Sequence, residues 1–146
     1  MRRRKFIEMA CLTCAGGVAM ISSMESCATG QYVAAVSKNN IIQIKKSDFT
    51  VIKKDKEVQR SFVLIRFESL PFPICIYKIS ETEYISLYME CTHQGCELNA
   101  HQAQLVCQCH GSEFDNKGNV LEGPADTALK QFKTEIHEDI IYIKIA

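Results

Sequence analysis

Two short segments of this 146-residue chain each place thiols and an imidazole within a few positions of one another. Residues 91–96 read CTHQGC, and residues 107–112 read CQCHGS. Because each segment offers donor side chains within the reach of one turn, the two segments together could enclose a metal centre. Two thiolates and two imidazoles suit either a tetrahedral zinc ion or a [2Fe–2S] cluster in which histidines replace two of the cysteines.

Short β-strands have to position these segments. From residue 41 onward, runs of four to eight residues rich in Ile, Val, Phe and Tyr alternate with polar turns, and no sustained helical period appears. Such runs are typical of strands. The predicted strands are Ile41–Ile44, Phe49–Ile52, Phe62–Phe67, Ile74–Ile79, Tyr84–Met89, Gln104–Cys107, Leu129–Ile136 and Ile140–Ile145. The sequence therefore predicts an all-β domain, an antiparallel β sandwich or barrel-like fold, with turns at Lys53–Glu57 and Asp115–Asn119.

The first residues have the features of an export signal. Arg2–Lys5 form a positive start, an apolar stretch follows to Met24, and small residues surround Cys27. The apolar run of about 16 residues is short for a membrane-spanning helix, which needs roughly 20. Arg3–Ile7 resembles the twin-arginine export motif. We therefore predict an export signal or N-terminal anchor at 1–27, a linker at 28–40 and one domain at 41–146.

Two fates are open for the end of this leader. Ser26-Cys27-Ala28 offers small residues for cleavage, or Cys27 could become the lipidated first residue of a lipoprotein. The formal net charge of the whole chain is zero, so the charge balance does not indicate nucleic acid as a partner.

The two segments at 91–96 and 107–112 resemble the two boxes of Rieske iron–sulfur proteins, Cys-Thr-His-x-Gly-Cys and Cys-x-Cys-His-Gly-Ser. The resemblance implies a Rieske domain whose two loops form a cluster-binding subdomain for one [2Fe–2S] cluster. It assigns Cys91 and Cys107 to one iron, and His93 and His110 to the other. His101, which lies between the boxes, is expected to be a solvated loop residue.

The resemblance also implies that Cys96 and Cys109 form a disulfide between the two loops. Rieske ferredoxins of aromatic-ring oxygenases usually lack this pair of cysteines, so the pair indicates the respiratory or arsenite-oxidase-like class. A disulfide requires an oxidising compartment, which is consistent with the predicted export of this chain.

Four further residues are implied to lie around the cluster. Ser112 occupies the position at which high-potential Rieske proteins direct a hydroxyl at a bridging sulfide. Phe114 stands where those proteins carry a tyrosine that donates to a cysteine sulfur, so we expect a lower potential in this chain. Gly123-Pro124 resembles the proline-containing loop that covers the cluster.

The implied function is one-electron transfer, as the Rieske subunit of a quinol–cytochrome c reductase-like (bc-type) complex. Its donor would be a membrane quinol or a redox enzyme, and its acceptor a cytochrome-type protein. The location would be the periplasmic side of the cytoplasmic membrane, where the chain would be anchored or held as a lipoprotein.

Two alternatives stay open. The chain could be the small electron-transfer subunit of another exported oxidoreductase, similar in plan to that of arsenite oxidase, or a zinc-stabilised binding module. The sequence contains no nucleotide-binding glycine pattern and no nucleophile–base arrangement, so it predicts no independent catalytic site.

Overall fold

The computed structural model describes residues 31–145. The predicted leader at 1–27, including Cys27 and the twin-arginine motif, lies outside the described residues. A 3-10 helix spans Lys46–Phe49, and thirteen strands cover about half of the remaining described chain. In chain order they are β1 Val36–Lys38, β2 Ile41–Lys45, β3 Thr50–Lys53, β4 Lys56–Gln59, β5 Phe62–Ile65, β6 Ile74–Lys78, β7 Tyr84–Tyr88, β8 Leu98–Ala100, β9 Gln104–Cys107, β10 Glu113–Asp115, β11 Val120–Glu122, β12 Gln131–His137 and β13 Ile140–Lys144.

The strands form three antiparallel sheets. The largest has seven strands in the order β1-β2-β13-β12-β7-β6-β5, the second has four in the order β11-β10-β9-β8, and β3 and β4 form a two-stranded hairpin. The predicted all-β antiparallel fold is confirmed.

The seven-stranded sheet is curled into a barrel by its own first residues. Tyr32 pairs with Leu64 on β5, while Val36 pairs with Gln43 on β2. If the sheet were flat, Tyr32 beside β5 and Val36 in β1 would lie at opposite edges, seven strand spacings or roughly 34 Å apart at about 4.8 Å each. Four residue steps reach at most about 14 Å, so β5 and β2 must lie close together in space. Part of the segment that the sequence predicts as a linker, 28–40, is thus paired with the barrel.

Strands β5 to β7 separate two hydrophobic cores. Val63 and Ile65 on one face of β5 belong to the barrel core, and Phe62 and Leu64 on its other face belong to a second core. This second core, here called the interface core, lies between the outside of the barrel and the four-stranded sheet. The residues of β5 and β7 are therefore buried without interruption, as strands covered on both faces are.

Several strands were not predicted because their sequences are short or polar. Strands β1, β4, β8, β10 and β11 have three or four residues each, and all four residues of β4 are exposed. The predicted turn Lys53–Glu57 is tighter in the structure, where only Lys54 and Asp55 turn, both with positive φ. Such two-residue turns match the twist of a hairpin, so pairing extends into the charged residues on either side.

Within residues 31–145, no helix is long and apolar enough to cross a membrane.

The turn between β10 and β11 attaches the four-stranded sheet to the barrel. Gly118 has φ +85°, and an added Cβ would lie 2.9 Å from Leu87 Cδ2 and 3.3 Å from Leu129 Cβ. We expect Gly118→Ala to lower the free energy of unfolding by about 2–4 kcal/mol, through backbone strain and overpacking. Chemical denaturation of the full chain would measure this loss.

Lys117→Ala is the matched control, because Lys117 is exposed in the same turn and the substitution retains its backbone bond to Asp115 Oδ1. A loss below 1 kcal/mol for Gly118→Ala would show that the turn is not held against the barrel as tightly as its contacts imply.

Candidate metal centre

The two Cys/His segments fold in the same way. In the first box, Cys91 N donates to Cys96 O at 2.8 Å, and Gly95 N donates to Cys91 O at 2.8 Å. In the second box, Cys107 N donates to Ser112 O at 2.8 Å, and Gly111 N donates to Cys107 O at 3.0 Å. Each box is thus a closed turn that begins at a cysteine.

Glycine is required at the same point of both turns. Gly95 has φ +72° and Gly111 has φ +79°, a conformation that residues with a Cβ adopt at a cost. The glycine in each box reverses the chain after the histidine, so that the following residue returns to bond the first cysteine.

A disulfide joins the two boxes. Cys96 and Cys109 are bonded with an S–S distance of 2.07 Å and a Cα–Cα distance of 6.6 Å, as the resemblance implies. Strand pairing also brings the two boxes close together, because Leu98 after the first box pairs with Cys107 at the start of the second. A disulfide that closes a loop of this size typically contributes about 2–4 kcal/mol, mainly by restricting the unfolded chain.

The four implied ligands fall into two classes of environment. Cys91 and Cys107 are free thiols, and each is buried. His93 and His110 are exposed, and their ring centroids lie 5.2 Å apart. The side chains therefore form a buried sulfur side toward the protein and an exposed imidazole side toward solvent.

The donor atoms are spread more widely than a single zinc ion requires. A tetrahedral zinc ion with bonds of about 2.0–2.3 Å holds all four donors within roughly 4 Å of one another. Among the described residues, the one group of three donors within 4.8 Å is Cys96, Cys107 and Cys109, and two of these are joined in the disulfide. A two-iron centre divides its ligands into two pairs, so the arrangement fits a [2Fe–2S] cluster better than a zinc ion.

The loop between β11 and β12 is hydrogen-bonded to both boxes. Thr92 Oγ1 donates to Thr127 O at 2.6 Å, and Ala125 N donates to Ser112 Oγ at 3.0 Å. Gly123 and Pro124, the implied covering residues, lie in the exposed first part of this loop and are joined by a cis peptide bond. The loop is therefore tied to the boxes at two points. The sequence alone did not indicate this contact of Thr92, although the residue lies between two implied ligands.

Ser112 has a buried hydroxyl that accepts one hydrogen bond from the β11–β12 loop. Its side chain is fully buried, and its oxygen accepts the Ala125 N–H. Because Ser112 Oγ is the acceptor in this bond, its hydroxyl proton stays available for another acceptor, and a hydrogen bond from such a hydroxyl can tune a metal centre.

Phe114 is completely buried in the interface core together with Cys91 and Cys107. It lies on β10 and pairs with Leu105. The core that contains both implied thiolate ligands thus holds, at residue 114, a ring without a hydrogen-bond donor.

Cys75 and Tyr77 of β6 also lie in the interface core. Burial raises the pKa of the Cys75 thiol well above its usual value, so this cysteine is a neutral, buried side chain. Burial likewise raises the pKa of Tyr77 well above its usual value, which keeps its hydroxyl proton available for donation.

His101 is exposed at the far end of the β8–β9 hairpin, away from the boxes.

Comparison with known proteins identifies the domain. A family model of the Rieske [2Fe-2S] domain matches residues 48–133, more than half of the chain. The fold is similar to the crystal structure of the cyanobacterial plasma membrane Rieske protein PetC3 from Synechocystis PCC 6803, with a TM-score of 0.51 and 28% identity. That similarity covers 57% of this chain and 86% of the other.

Curated relatives agree with this result. The chain is 30% identical over 76 residues to the cytochrome b6-f complex iron-sulfur subunit of Prochlorococcus marinus (strain MIT 9301), covering 51% of this chain and 43% of that protein. It is 42% identical over 55 residues to the cytochrome b6-f complex iron-sulfur subunit 2 of Nostoc sp. (strain PCC 7120 / SAG 25.82 / UTEX 2576), covering 36% and 31%. The chain thus matches less than half of the length of these relatives. With its disulfide-joined boxes, the chain belongs to the Rieske [2Fe–2S] family and binds a [2Fe–2S] cluster.

Proposed function

We propose that this chain transfers one electron at a time, as the Rieske subunit of a quinol–cytochrome c reductase-like (bc-type) complex. Cys91 and Cys107 would hold one iron of its cluster, and His93 and His110 the other. The donor would be a membrane quinol and the acceptor a cytochrome-type protein. The relatives named above, which are cytochrome b6-f subunits, support this choice of complex.

The observation that carries the proposal is the division between buried thiols and exposed imidazoles. Cys91 and Cys107 are shielded from water inside the protein, whereas His93 and His110 are exposed beside each other. When bound, a [2Fe–2S] cluster with two neutral histidine ligands accepts and releases one electron at a higher potential than an all-cysteine cluster. The exposed imidazoles supply the edge at which a redox partner can approach.

A second candidate is the small electron-transfer subunit of another exported oxidoreductase. It is favoured by the pairing of Tyr32 with β5 and of Val36 with β2. A respiratory Rieske head needs a linker that lets it move between donor and acceptor, and here part of the predicted linker is paired with the barrel. In both cases we propose an exported protein on the periplasmic side, held by the leader or by lipid at Cys27.

Replacement of an implied ligand tests the assignment of the cluster. We expect full-length wild-type protein to contain two irons and two acid-labile sulfides per chain, and to show a rhombic EPR signal after reduction. His110→Gln is expected to lose that signal, because the amide cannot replace an imidazole on iron. Iron and sulfide analysis with low-temperature EPR would measure both results.

His101→Gln is the matched control, since His101 is an exposed histidine of the same subdomain and should leave the signal unchanged. One zinc ion per chain without sulfide in the wild type would overturn the electron-transfer proposal and favour a zinc-stabilised binding module.

The choice between the two complexes depends on the reduction potential. For the bc-type role we expect ascorbate to reduce the cluster, because quinol-linked Rieske centres lie at the upper end of the range of roughly −150 to +300 mV. Visible absorbance would follow the reduction. A cluster that only dithionite reduces would contradict the bc-type role and favour the second candidate.

Phe114→Tyr is expected to raise the midpoint potential of the cluster by roughly 20–60 mV. The estimate converts a net hydrogen-bond contribution of about 0.5–1.5 kcal/mol, at about 59 mV per tenfold change for one electron. The physical reason is a new hydroxyl in the core that contains the buried thiolates, where a hydrogen bond to sulfur would stabilise the reduced cluster. Redox titration followed by EPR would measure the change.

Phe132→Tyr is the control, because Phe132 is also buried but lies in the barrel core. An unchanged midpoint in Phe114→Tyr, with the cluster intact, would show that residue 114 does not set the potential.

A further inference from the structure

Tyr77 connects the barrel to the far end of the hairpin that carries both boxes. Its hydroxyl lies 2.8 Å from His101 O and 2.9 Å from Gln104 O. These carbonyls flank the turn between β8 and β9, which is itself closed by a bond from His101 N to Gln104 O at 2.8 Å. One hydroxyl proton is thus shared between the two carbonyls of the turn.

The hairpin joins the two boxes directly. Strand β8 begins two residues after Cys96, and β9 ends at Cys107. At the box end, Leu98 N donates to Met89 O at 3.0 Å. The opposite end lies three residues away, about 10 Å along the strand, and there Tyr77 holds the turn. The hairpin is therefore attached to the barrel at both ends.

The Tyr77 side chain is itself well fixed. It is 1% exposed, and its ring packs against Phe62 with centroids 5.6 Å apart. A buried ring held in this way can direct its hydroxyl without further ordering. Loss of the hydroxyl would leave two carbonyls without this donor and free the turn to move, which would in turn move both boxes.

We infer that Tyr77 is a positioning residue for the cluster, which acts by holding the β8–β9 hairpin against the barrel. The inference rests on the proposed ligand set. Tyr77 is not one of these ligands, and its hydroxyl bonds to the hairpin turn rather than to either box. Tyr77 limits opening of the hairpin, so it limits both loss of the cluster and the range of geometries that its ligands adopt.

Tyr77→Phe in the full-length protein with its cluster tests this inference. Because a hydrogen bond typically stabilises by about the free energy of a tenfold change in equilibrium, we expect cluster loss in the presence of an iron chelator to be about 10-fold faster. We also expect a broadened EPR signal and faster amide hydrogen exchange over residues 98–107. Exchange in β12 and β13 should be unchanged.

Tyr84→Phe is the matched control, since Tyr84 is a buried tyrosine of the barrel core whose ring meets that of Phe49 edge to face. It should leave cluster loss and the EPR line width as in the wild type. Equal cluster loss and equal line width in Tyr77→Phe and Tyr84→Phe would overturn the inference.

A second variant keeps the test decisive if Tyr77→Phe does not fold. Gln102 and Ala103 are exposed in the hairpin turn, so a double substitution, Gln102→Gly with Ala103→Gly, loosens the turn while retaining Tyr77. We expect faster cluster loss in this variant as well, and an unchanged rate would count against the inference. A wild-type protein that never holds a cluster would instead defeat the proposed function.

Discussion

Burial of strands β5 to β7 on both faces is the constraint on which the rest of this structure depends. One face of these strands completes the barrel core and the other supports the four-stranded sheet. The cluster-binding boxes share the interface core with these strands, because Cys91 and Cys107 belong to it. The position of the boxes is therefore set by the packing of the barrel wall.

The boxes themselves are turns whose conformation is set locally. Each closes on its first cysteine through backbone hydrogen bonds and reverses at a glycine with positive φ. A turn of this kind has little area to bury, so it cannot hold a fixed position alone. The disulfide and the pairing of β8 with β9 convert two separate turns into one unit.

Hydrogen bonds at three points then fix this unit. Thr92 bonds the loop before β12, Ser112 accepts a bond from Ala125 in the same loop, and Tyr77 reaches the far end of the hairpin. Because buried polar groups cost free energy when they lack partners, the bonds of the buried Ser112 and Tyr77 side chains favour one arrangement over others of similar compactness. A centre that exchanges electrons benefits from such support, since the orientation of its ligands tunes its potential.

The sequence by itself determined the all-β class, the strands that alternate or run continuously apolar, and which Cys and His residues the two boxes offer as candidate ligands. It could do so because strand periodicity and the spacing within each box are local properties of the chain. The five short strands and the curling of the sheet through Tyr32 and Val36 depend on partners far along the chain. The hydrogen bond of Thr92 and those of Tyr77 depend on distant partners in the same way. The carbonyl groups that Tyr77 bonds are 24 and 27 residues away. Only the tertiary structure decided these features. A tyrosine in an apolar strand predicts a core residue, and only the packing determines which groups its hydroxyl can reach.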